Sequence, residues 1–295
     1  MKIHIGILTS SDAHKARRAM LSALYQKTFL PELMVSIIVN STKGYYYDEV
    51  LNLVKEECDA GEVQITETLS NGKPGKGKNS AFEFMKESNA DYYMLIDGDD
   101  FLYPTALLVM KELMDEGYDL VAGQAQDIWT NGKITGSWHD EQPNNTVKYN
   151  RDIIKGRDYD LWHSYSIDRI HLVSHSFLTR IPRMPEHMDL YEDFVFTIET
   201  TKLAEQGLIK YTMVNSSYIY GYDATGDSQC SIFQTDKKLA EWNMEEFWRI
   251  ADKYIPIKFS ENEFRELPFP DGFGYKEKHE YYNIINAHEA YSRTK

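Results

Sequence analysis

The sequence has few cysteines, a deficit of positive charge and no long hydrophobic run. Its two cysteines, Cys58 and Cys230, provide neither a disulfide framework nor a CxxC zinc pattern, which favours reduced thiols in a cytoplasmic protein. The 32 Lys and Arg against 46 Asp and Glu give a formal net charge of −14, which disfavours non-specific binding to a nucleic-acid backbone. The apolar stretch over residues 33–39 is far shorter than the roughly 20 residues of a membrane helix, and the apolar start is too short for a signal peptide. We therefore expect no membrane span and a cytoplasmic location, in a cell or in a virus-infected host cell.

Aromatic residues, in contrast, are abundant. They make up 13% of the chain, and most of them lie in its C-terminal half. Trp129 and Trp138 flank a glycine-rich predicted hairpin. Two roles are possible for these tryptophans, stacking on a sugar or base and packing in the core.

Strands and helices alternate along the first hundred residues. Apolar segments typical of strands cover residues 2–8, 33–39, 63–68 and 92–96. Segments between them have a helical period, which predicts an α/β fold with a mostly parallel sheet covered by helices on both faces. Ligands of such sheets bind at the carboxyl ends of the strands. A boundary near residue 230 divides the chain into a main domain, residues 1–230, and a mainly helical, aromatic-rich extension, residues 231–295.

Three carboxylates follow the fourth apolar strand, in the segment Tyr92-Tyr-Met-Leu-Ile-Asp-Gly-Asp-Asp100. In an extended chain, Asp97 and Asp99 lie on one side, where they repel each other unless a cation sits between them. A hard ion such as Mg²⁺ or Mn²⁺, itself bound to phosphate, would supply that charge. A solvated turn and a phosphatase that uses Asp97 and Asp99 remain open at this point.

A glycine- and lysine-rich segment, Gly72-Lys-Pro-Gly-Lys-Gly-Lys-Asn-Ser80, lies between a predicted strand and a predicted helix. We expect a loop over residues 70–77 whose amides and lysines suit an anionic ligand. The segment nearly matches the phosphate-loop pattern G-x-x-x-x-G-K-[ST], but Asn79 replaces the hydroxyl that binds Mg²⁺. A P-loop-type nucleotidase is therefore an alternative function.

A second acidic pair, Glu192 and Asp193, stands at the start of a helix predicted over residues 189–206. The helix dipole favours negative charge there, so a capping role is open. The aromatic residues around the pair would also raise a carboxylate's pKa, as a general base requires.

Together these segments resemble the family 2 glycosyltransferases with the GT-A fold. The resemblance is good over residues 3–110 and moderate over residues 170–200. The matching segments, in chain order, are Thr9-Ser10-Ser11, Arg17-Arg-Ala-Met-Leu-Ser-Ala-Leu24 with Gln26 and Thr28-Phe29, residues 35–39, Gly77-Lys-Asn79, Leu95-Ile-Asp-Gly-Asp-Asp100 with Pro104, and Glu192-Asp193.

The resemblance implies an enzyme, an inverting transferase that moves a hexose or pentose from a nucleotide-sugar, with uridine the expected base, to an acceptor hydroxyl. It implies Mn²⁺ or Mg²⁺ as cofactor, held by Asp99 and Asp100, and Asp193 as the catalytic base with Glu192 beside it. The residues that it implies for donor binding are Thr9, Ser10, Asn40, Lys78, Asn79 and Asp97.

The acceptor stays open among a glycan, a lipid-linked sugar, a protein and a modified nucleobase of viral DNA. The sequence departs from the family where Asn40 replaces a usual Asp and where Thr225-Gly-Asp-Ser228 replaces a His-x-x-Ser segment. A non-catalytic protein that binds a sugar nucleotide with the same fold is a further alternative.

Overall fold

The computed structural model describes residues 1–68, 70, 72–123, 126–138, 170–215, 219–225, 235–251, 253, 264–266 and 275–292. The strands of these residues are β1 (Ile3–Thr9), β2 (Met34–Val39), β3 (Val63–Glu67), β4 (Tyr92–Asp97), β5 (Phe101–Leu102), β6 (Leu120–Gly123), β7 (Gln126–Thr130), β8 (Lys133–Trp138), β9 (Ile170–Ser174), β10 (Tyr211–Asn215), β11 (Tyr220–Asp223) and β12 (Phe264–Glu266). The helices are α1 (Ala13–Tyr25), α2 (Tyr46–Leu53), α3 (Lys55–Asp59), α4 (Pro74–Lys86), α5 (Ala106–Asp115), α6 (His175–Leu178), α7 (Glu192–Glu205), α8 (Lys237–Ala251) and α9 (Tyr275–Ser292), with a 3₁₀ turn at Gln26–Thr28.

The strands form two sheets. The larger sheet has eight strands in the order β12-β10-β6-β9-β4-β1-β2-β3, and β9 is antiparallel to its neighbours β4 and β6. The other pairings in this sheet are parallel, so the predicted α/β class with a mostly parallel sheet is confirmed. The smaller sheet has the order β5-β11-β7-β8.

Strand β1 is buried along its whole length because helices cover both faces of the sheet. Ile3, Ile5 and Ile7 alternate onto one face and belong to the same core cluster as the apolar side of α1. On the other face, Leu8 shares a cluster with Phe82 of α4. Full burial of each such side chain contributes about 1.5–3 kcal/mol, so this central strand is a major source of stability.

Helix α4 begins earlier than the sequence pattern predicts. Residues 70–77 were expected to form a loop, but the helix starts at Pro74 and includes Gly75 and Gly77. Proline suits the first helical position, because an amide hydrogen, which proline lacks, would have no helical partner there and because its φ angle is already helical. The expected loop is therefore wrong over residues 74–77.

The described residues after position 230 comprise α8, β12 and α9, in line with the predicted mainly helical extension. Strand β12 pairs with β10 and extends the larger sheet, while α9 packs against α1. The boundary at residue 230 stays a prediction. Within the part of the chain that the structure describes, no helix is both long and apolar enough to cross a membrane.

Candidate active site

Three residues predicted to bind the donor lie at the carboxyl ends of adjacent parallel strands. Thr9 ends β1, Asn40 follows β2 and Asp97 ends β4. The ends of β1 and β2 are joined by a hydrogen bond, in which the Asn40 backbone amide donates to the Thr9 carbonyl at 2.7 Å. Thr9 and Asn40 are buried, whereas Ser10 and Asp97 are exposed. The structure therefore provides a shared polar edge at the position where such sheets bind ligands.

The Asn40 side chain is held in one orientation by its neighbours. Its Oδ1 accepts a hydrogen bond from Thr68 Oγ1 at 2.8 Å, and its Nδ2 donates to the Lys73 carbonyl at 3.3 Å. Thr9 Oγ1 lies 2.6 Å from the Tyr46 hydroxyl. The side chains at this edge are thus positioned by bonds within the protein.

Helix α4 places Lys78 and Asn79 in different surroundings. The Asn79 side-chain Nδ2 donates to the Met184 carbonyl at 2.9 Å and to Glu186 Oε1 at 3.1 Å. The Asn79 Oδ1 accepts from the Met184 backbone amide at 2.9 Å. Asn79 therefore joins α4 to the segment that precedes α7. Lys78 extends to the acidic pair at the start of α7.

Asp99 and Asp100 differ sharply in environment. Asp100 is 3% exposed; its Oδ2 accepts from the Tyr220 hydroxyl at 2.7 Å and its Oδ1 from the Asp223 amide at 3.0 Å. Both of its oxygens are thus engaged by β11. Burial, followed by repulsion from Asp97 and partly offset by Lys15, raises the pKa of Asp99 to about 6. Divalent-cation binding near Asp99 would relieve that repulsion.

The loop after β4 is also held from α1 by Arg18, to which the sequence pattern assigned no role, together with Asp223, which was expected to lie in a loop that could close over the site. Arg18 is 4% exposed, and its Nη2 donates to the Asp99 carbonyl at 2.5 Å. Its Nη1 lies 2.7 Å from the Asp223 carboxylate, which is itself buried. The available signal was the pair Arg17 and Arg18 within an alanine-rich helix, but the partners of Arg18 are distant in sequence.

Lys78, Glu192 and Asp193 form a compact charged group. Lys78 Nζ lies 3.0 Å from Glu192 Oε1 and 3.8 Å from Asp193 Oδ2. Burial raises the pKa of Glu192 to about 7, and Asp193 adds to this effect while Lys78 opposes it. Burial alone would lower the pKa of Lys78, but Glu192, Asp193 and Asp97 together hold it above its usual range. One ammonium lies between two carboxylates, so the group has an excess negative charge, and the carboxyl with a pKa near neutrality is that of Glu192.

The start of α7 has an unusual backbone. Tyr191, which precedes Glu192, has a left-handed conformation with φ of 65°. This conformation is strained for a residue with a side chain and is held by its surroundings, which include the Phe247 ring at 5.9 Å from the Tyr191 ring. The turn brings both carboxylates to Lys78.

The phosphate-loop alternative is not supported by this geometry. The Gly77 amide donates to the Lys73 carbonyl at 2.9 Å within the helix, so it is not directed at an anion. Lys78, which would contact the phosphates of a nucleotide in a P-loop, is paired with Glu192.

Metal ligands were expected at Asp99 and Asp100. Among the described residues, no group of three or more His, Cys, Asp and Glu side chains is arranged to hold a metal ion. Ser228, in the segment that replaces the family's His-x-x-Ser, lies outside those residues.

No protein-family model matches the sequence, and no curated protein matches it. Solved structures do match the fold, and those described below are glycosyltransferases of the GT-A type. The chain therefore has the GT-A fold, as the resemblance to family 2 predicted.

Two of the similar structures are S. aureus TarS 1–349 in complexes with UDP and with UDP-GlcNAc, each 17% identical to this chain. The UDP complex has a TM-score of 0.59 and covers 100% of this chain and 73% of TarS 1–349. The UDP-GlcNAc complex has a TM-score of 0.60 and covers 88% and 68%. A third is the mannosyltransferase PcManGT from Pyrobaculum calidifontis with GDP-Man and Mn²⁺, at 12% identity, a TM-score of 0.54 and coverage of 99% and 75%. At these identities the similarity establishes the fold.

Proposed function

We propose that this protein is a glycosyltransferase that moves a sugar from a nucleotide-sugar donor to an acceptor hydroxyl with inversion at the anomeric carbon. One observation carries the proposal: on a GT-A fold, the carboxylate loop after β4 adjoins the Lys78, Glu192 and Asp193 group. The two groups are close enough for the Asp97 carboxylate to contribute to the raised pKa of Lys78. Groups suited to a diphosphate and to a proton transfer thus lie side by side.

In this proposal, the polar edge of the sheet binds the nucleotide. Thr9 and Ser10 contact the nucleotide and Asn40 contacts its base, with uridine the expected nucleoside, while Asp97 contacts the ribose or the base. Lys78 and Asn79 support the donor site through other residues, Lys78 through Glu192 and Asp193 and Asn79 through the segment at Met184. UDP complexes of TarS and the GDP-Man complex of PcManGT support a nucleotide diphosphate here and leave the base to experiment.

The carboxylates after β4 fit a divalent cation, Mn²⁺ or Mg²⁺. Asp99 is the proposed direct ligand, and Asp100 fixes the loop because both its oxygens are already engaged. Mg²⁺ sites in nucleotide enzymes use one or two carboxylates together with substrate phosphates, so a small set of protein ligands is sufficient. A bound cation would supply charge neutralisation for the leaving diphosphate.

Asp193 is the proposed general base. Its side chain is 21% exposed, against 6% for Glu192, so it is the more accessible of the two to an acceptor. Asp193 accepts the proton of the acceptor hydroxyl as the oxygen attacks the anomeric carbon, and the nucleoside diphosphate leaves from the opposite face. Glu192 holds Lys78 in place.

Thermal shift with UDP, GDP, CDP, dTDP, ADP and ATP, each with Mn²⁺, Mg²⁺ or EDTA, tests the donor site without knowledge of the acceptor. We expect a metal-dependent stabilisation by UDP. Stabilisation by ATP alone would overturn the proposal. Release of UDP from a UDP-sugar in the presence of glycan acceptors then separates an enzyme from a protein that only binds the donor.

A further inference from the structure

An open cavity of about 320 Å³ lies between α1, the β7–β8 turn, the end of β11 and α9. The side chains in its wall that matter here are Lys15, Arg18, Asn131, Asp223, Tyr282 and Asn286. Its volume is at the lower end of the range for ligand pockets, about 300–1,000 Å³. None of the residues that the resemblance implied for the donor, metal or base lines it.

The cavity adjoins the carboxylate loop through shared residues. Arg18 lines the cavity and donates to the Asp99 carbonyl, and the charge of Lys15 opposes the rise in the pKa of Asp99. Asp223 also lines it, and the amide of that residue is bonded to Asp100. A ligand in the cavity would therefore be next to the site proposed for the donor diphosphate.

The charges in the wall balance each other. Asp223 is 2.7 Å from Arg18 and 3.7 Å from Lys15, and Asp12 is bonded to the amides at the start of α1. An anion would have to compete with the buried Asp223 carboxylate and would be repelled by Asp12. The wall thus favours a neutral ligand over a phosphate or a carboxylate.

The remaining polar groups suit a ligand with many hydroxyls. The Asn131 side chain can donate and accept hydrogen bonds, and the Tyr282 hydroxyl lies 3.2 Å from Arg18. The Asn286 Nδ2 donates to the Tyr282 carbonyl at 2.7 Å, so Asn286 offers its Oδ1 as an acceptor. Tyr282 is itself immobilised by a nearly parallel stack on the Trp129 ring, with centroids 4.4 Å apart. Trp129 is fully buried, so the ring available at this wall is that of Tyr282. Amides, carboxylates and an aromatic ring together match the hydroxyls and C–H surface of a sugar.

We propose that this cavity is a subsite for the acceptor. It holds a neutral sugar unit other than the one that carries the attacking hydroxyl, since Asp193 does not line it. The inference rests on the proposed glycosyltransferase function and narrows it. Of the four open acceptor classes, the proposal commits to the saccharides, free or lipid-linked.

Saturation-transfer NMR can test the cavity with maltose, cellobiose, chitobiose and glucose 6-phosphate as probes. Asn286→Leu fills the wall with a side chain of similar size, and Asn286→Ala removes the amide with less risk to folding. Asn283→Leu is the matched control, because Asn283 lies on the same helix and is exposed. We expect at least one neutral disaccharide to bind, both Asn286 variants to weaken it by about tenfold or more, and Asn283→Leu to leave it unchanged.

Three results would overturn the inference: no binding of any neutral disaccharide, stronger binding of glucose 6-phosphate than of the neutral sugars, or equal binding by the Asn286 variants and the wild type. The UDP and Mn²⁺ thermal shift of the same samples keeps the two proposals apart. If the wild type shows the UDP shift but the Asn286 variants bind saccharide as the wild type does, only the cavity proposal is rejected. If the wild type shows no thermal shift with any nucleotide, the glycosyltransferase proposal is rejected.

Discussion

At the residue scale, Asp99 and Asp100 are adjacent in the sequence but have different partners. Asp100 is buried and bonded to Tyr220 and to the Asp223 amide, so its carboxylate belongs to the packing of β11 against the loop. Burial and neighbouring carboxylates raise the pKa of both residues, so the difference between them lies in these hydrogen bonds of Asp100. The two residues should therefore respond differently to the same substitution.

Asp99→Asn should abolish the metal-dependent stabilisation by UDP while leaving the melting temperature in EDTA unchanged or higher, because it removes a repelled charge. Asp100→Asn should lower stability in EDTA by about 1–3 kcal/mol, since the NH2 group that replaces one carboxylate oxygen is a donor and cannot accept the hydrogen bond made there. Thermal denaturation of the two variants with and without Mn²⁺ and UDP measures both effects. A normal metal response in Asp99→Asn would remove Asp99 from the metal site.

Asp193→Asn should keep donor binding and lower the rate of sugar transfer by about 10²–10⁴-fold, the usual contribution of a general base. Asp48→Asn is a matched control, because Asp48 and Asp193 are both acidic residues in the first turn of a helix, α2 and α7 respectively. Asp48 is exposed and is not part of the proposed site. A helix-dipole role alone predicts similar small losses of stability for both variants and normal transfer. Transfer rates with saturating donor distinguish the two explanations.

At the element scale, helix α4 approaches its neighbours through glycines. A Cβ atom at Gly75 would lie 2.3 Å from the Pro185 carbonyl oxygen, and one at Gly77 would lie 2.2 Å from Asn40 Nδ2. Neither glycine has a positive φ, so close packing is the reason for the small residue. These contacts place Lys78 next to the start of α7.

Gly77→Ala should destabilise the protein by about 1–3 kcal/mol and weaken UDP binding, because the clash outweighs the better helix propensity of alanine and displaces Asn40. Gly44→Ala is the control, since a Cβ there meets nothing within 4 Å. In an Asn40→Ala background the clash is absent, so adding Gly77→Ala should cost little. Denaturant unfolding of the four variants checks this; an equal cost in both backgrounds would contradict it.

At the scale of the whole molecule, side-chain contacts connect α9 to the smaller sheet. Lys278 Nζ lies 2.6 Å from Asp127 Oδ2, and Asp127 also accepts from the Tyr103 hydroxyl at 2.5 Å. The Trp129 indole donates to Tyr103 at 2.9 Å, which completes a buried network between β7 and α9. The C-terminal helix thus stabilises the wall of the proposed acceptor cavity.

Lys278→Ala should lower the free energy of unfolding by about 3–5 kcal/mol, because it leaves the Asp127 charge buried without its cation. Lys276→Ala on the same helix should change it by less than about 0.5 kcal/mol, since that side chain is 79% exposed. Combining Lys278→Met with Asp127→Asn should recover part of the loss. Urea unfolding measures all three variants, and equal effects at Lys276 and Lys278 would rule out the buried pair as a stabilising contact.

The sequence by itself determined the α/β class and the position of the carboxylates after β4. Both depend on local patterns: alternating and helical periods define the elements, and parallel strands bring their carboxyl ends to one edge. The helical start of α4 was missed because the effect of Pro74 competed with a glycine-rich composition typical of loops.

Only the tertiary structure decided which polar side chains are bonded within the protein and which are available to bind a ligand. Asp100 is bonded to residues 120 and 123 positions away, and Lys78 to one 114 positions away. Such pairings depend on how the sheets and helices pack, which no local period encodes. The same holds for Arg18, whose role follows from Asp99, Asp223 and α9 meeting at one side of α1.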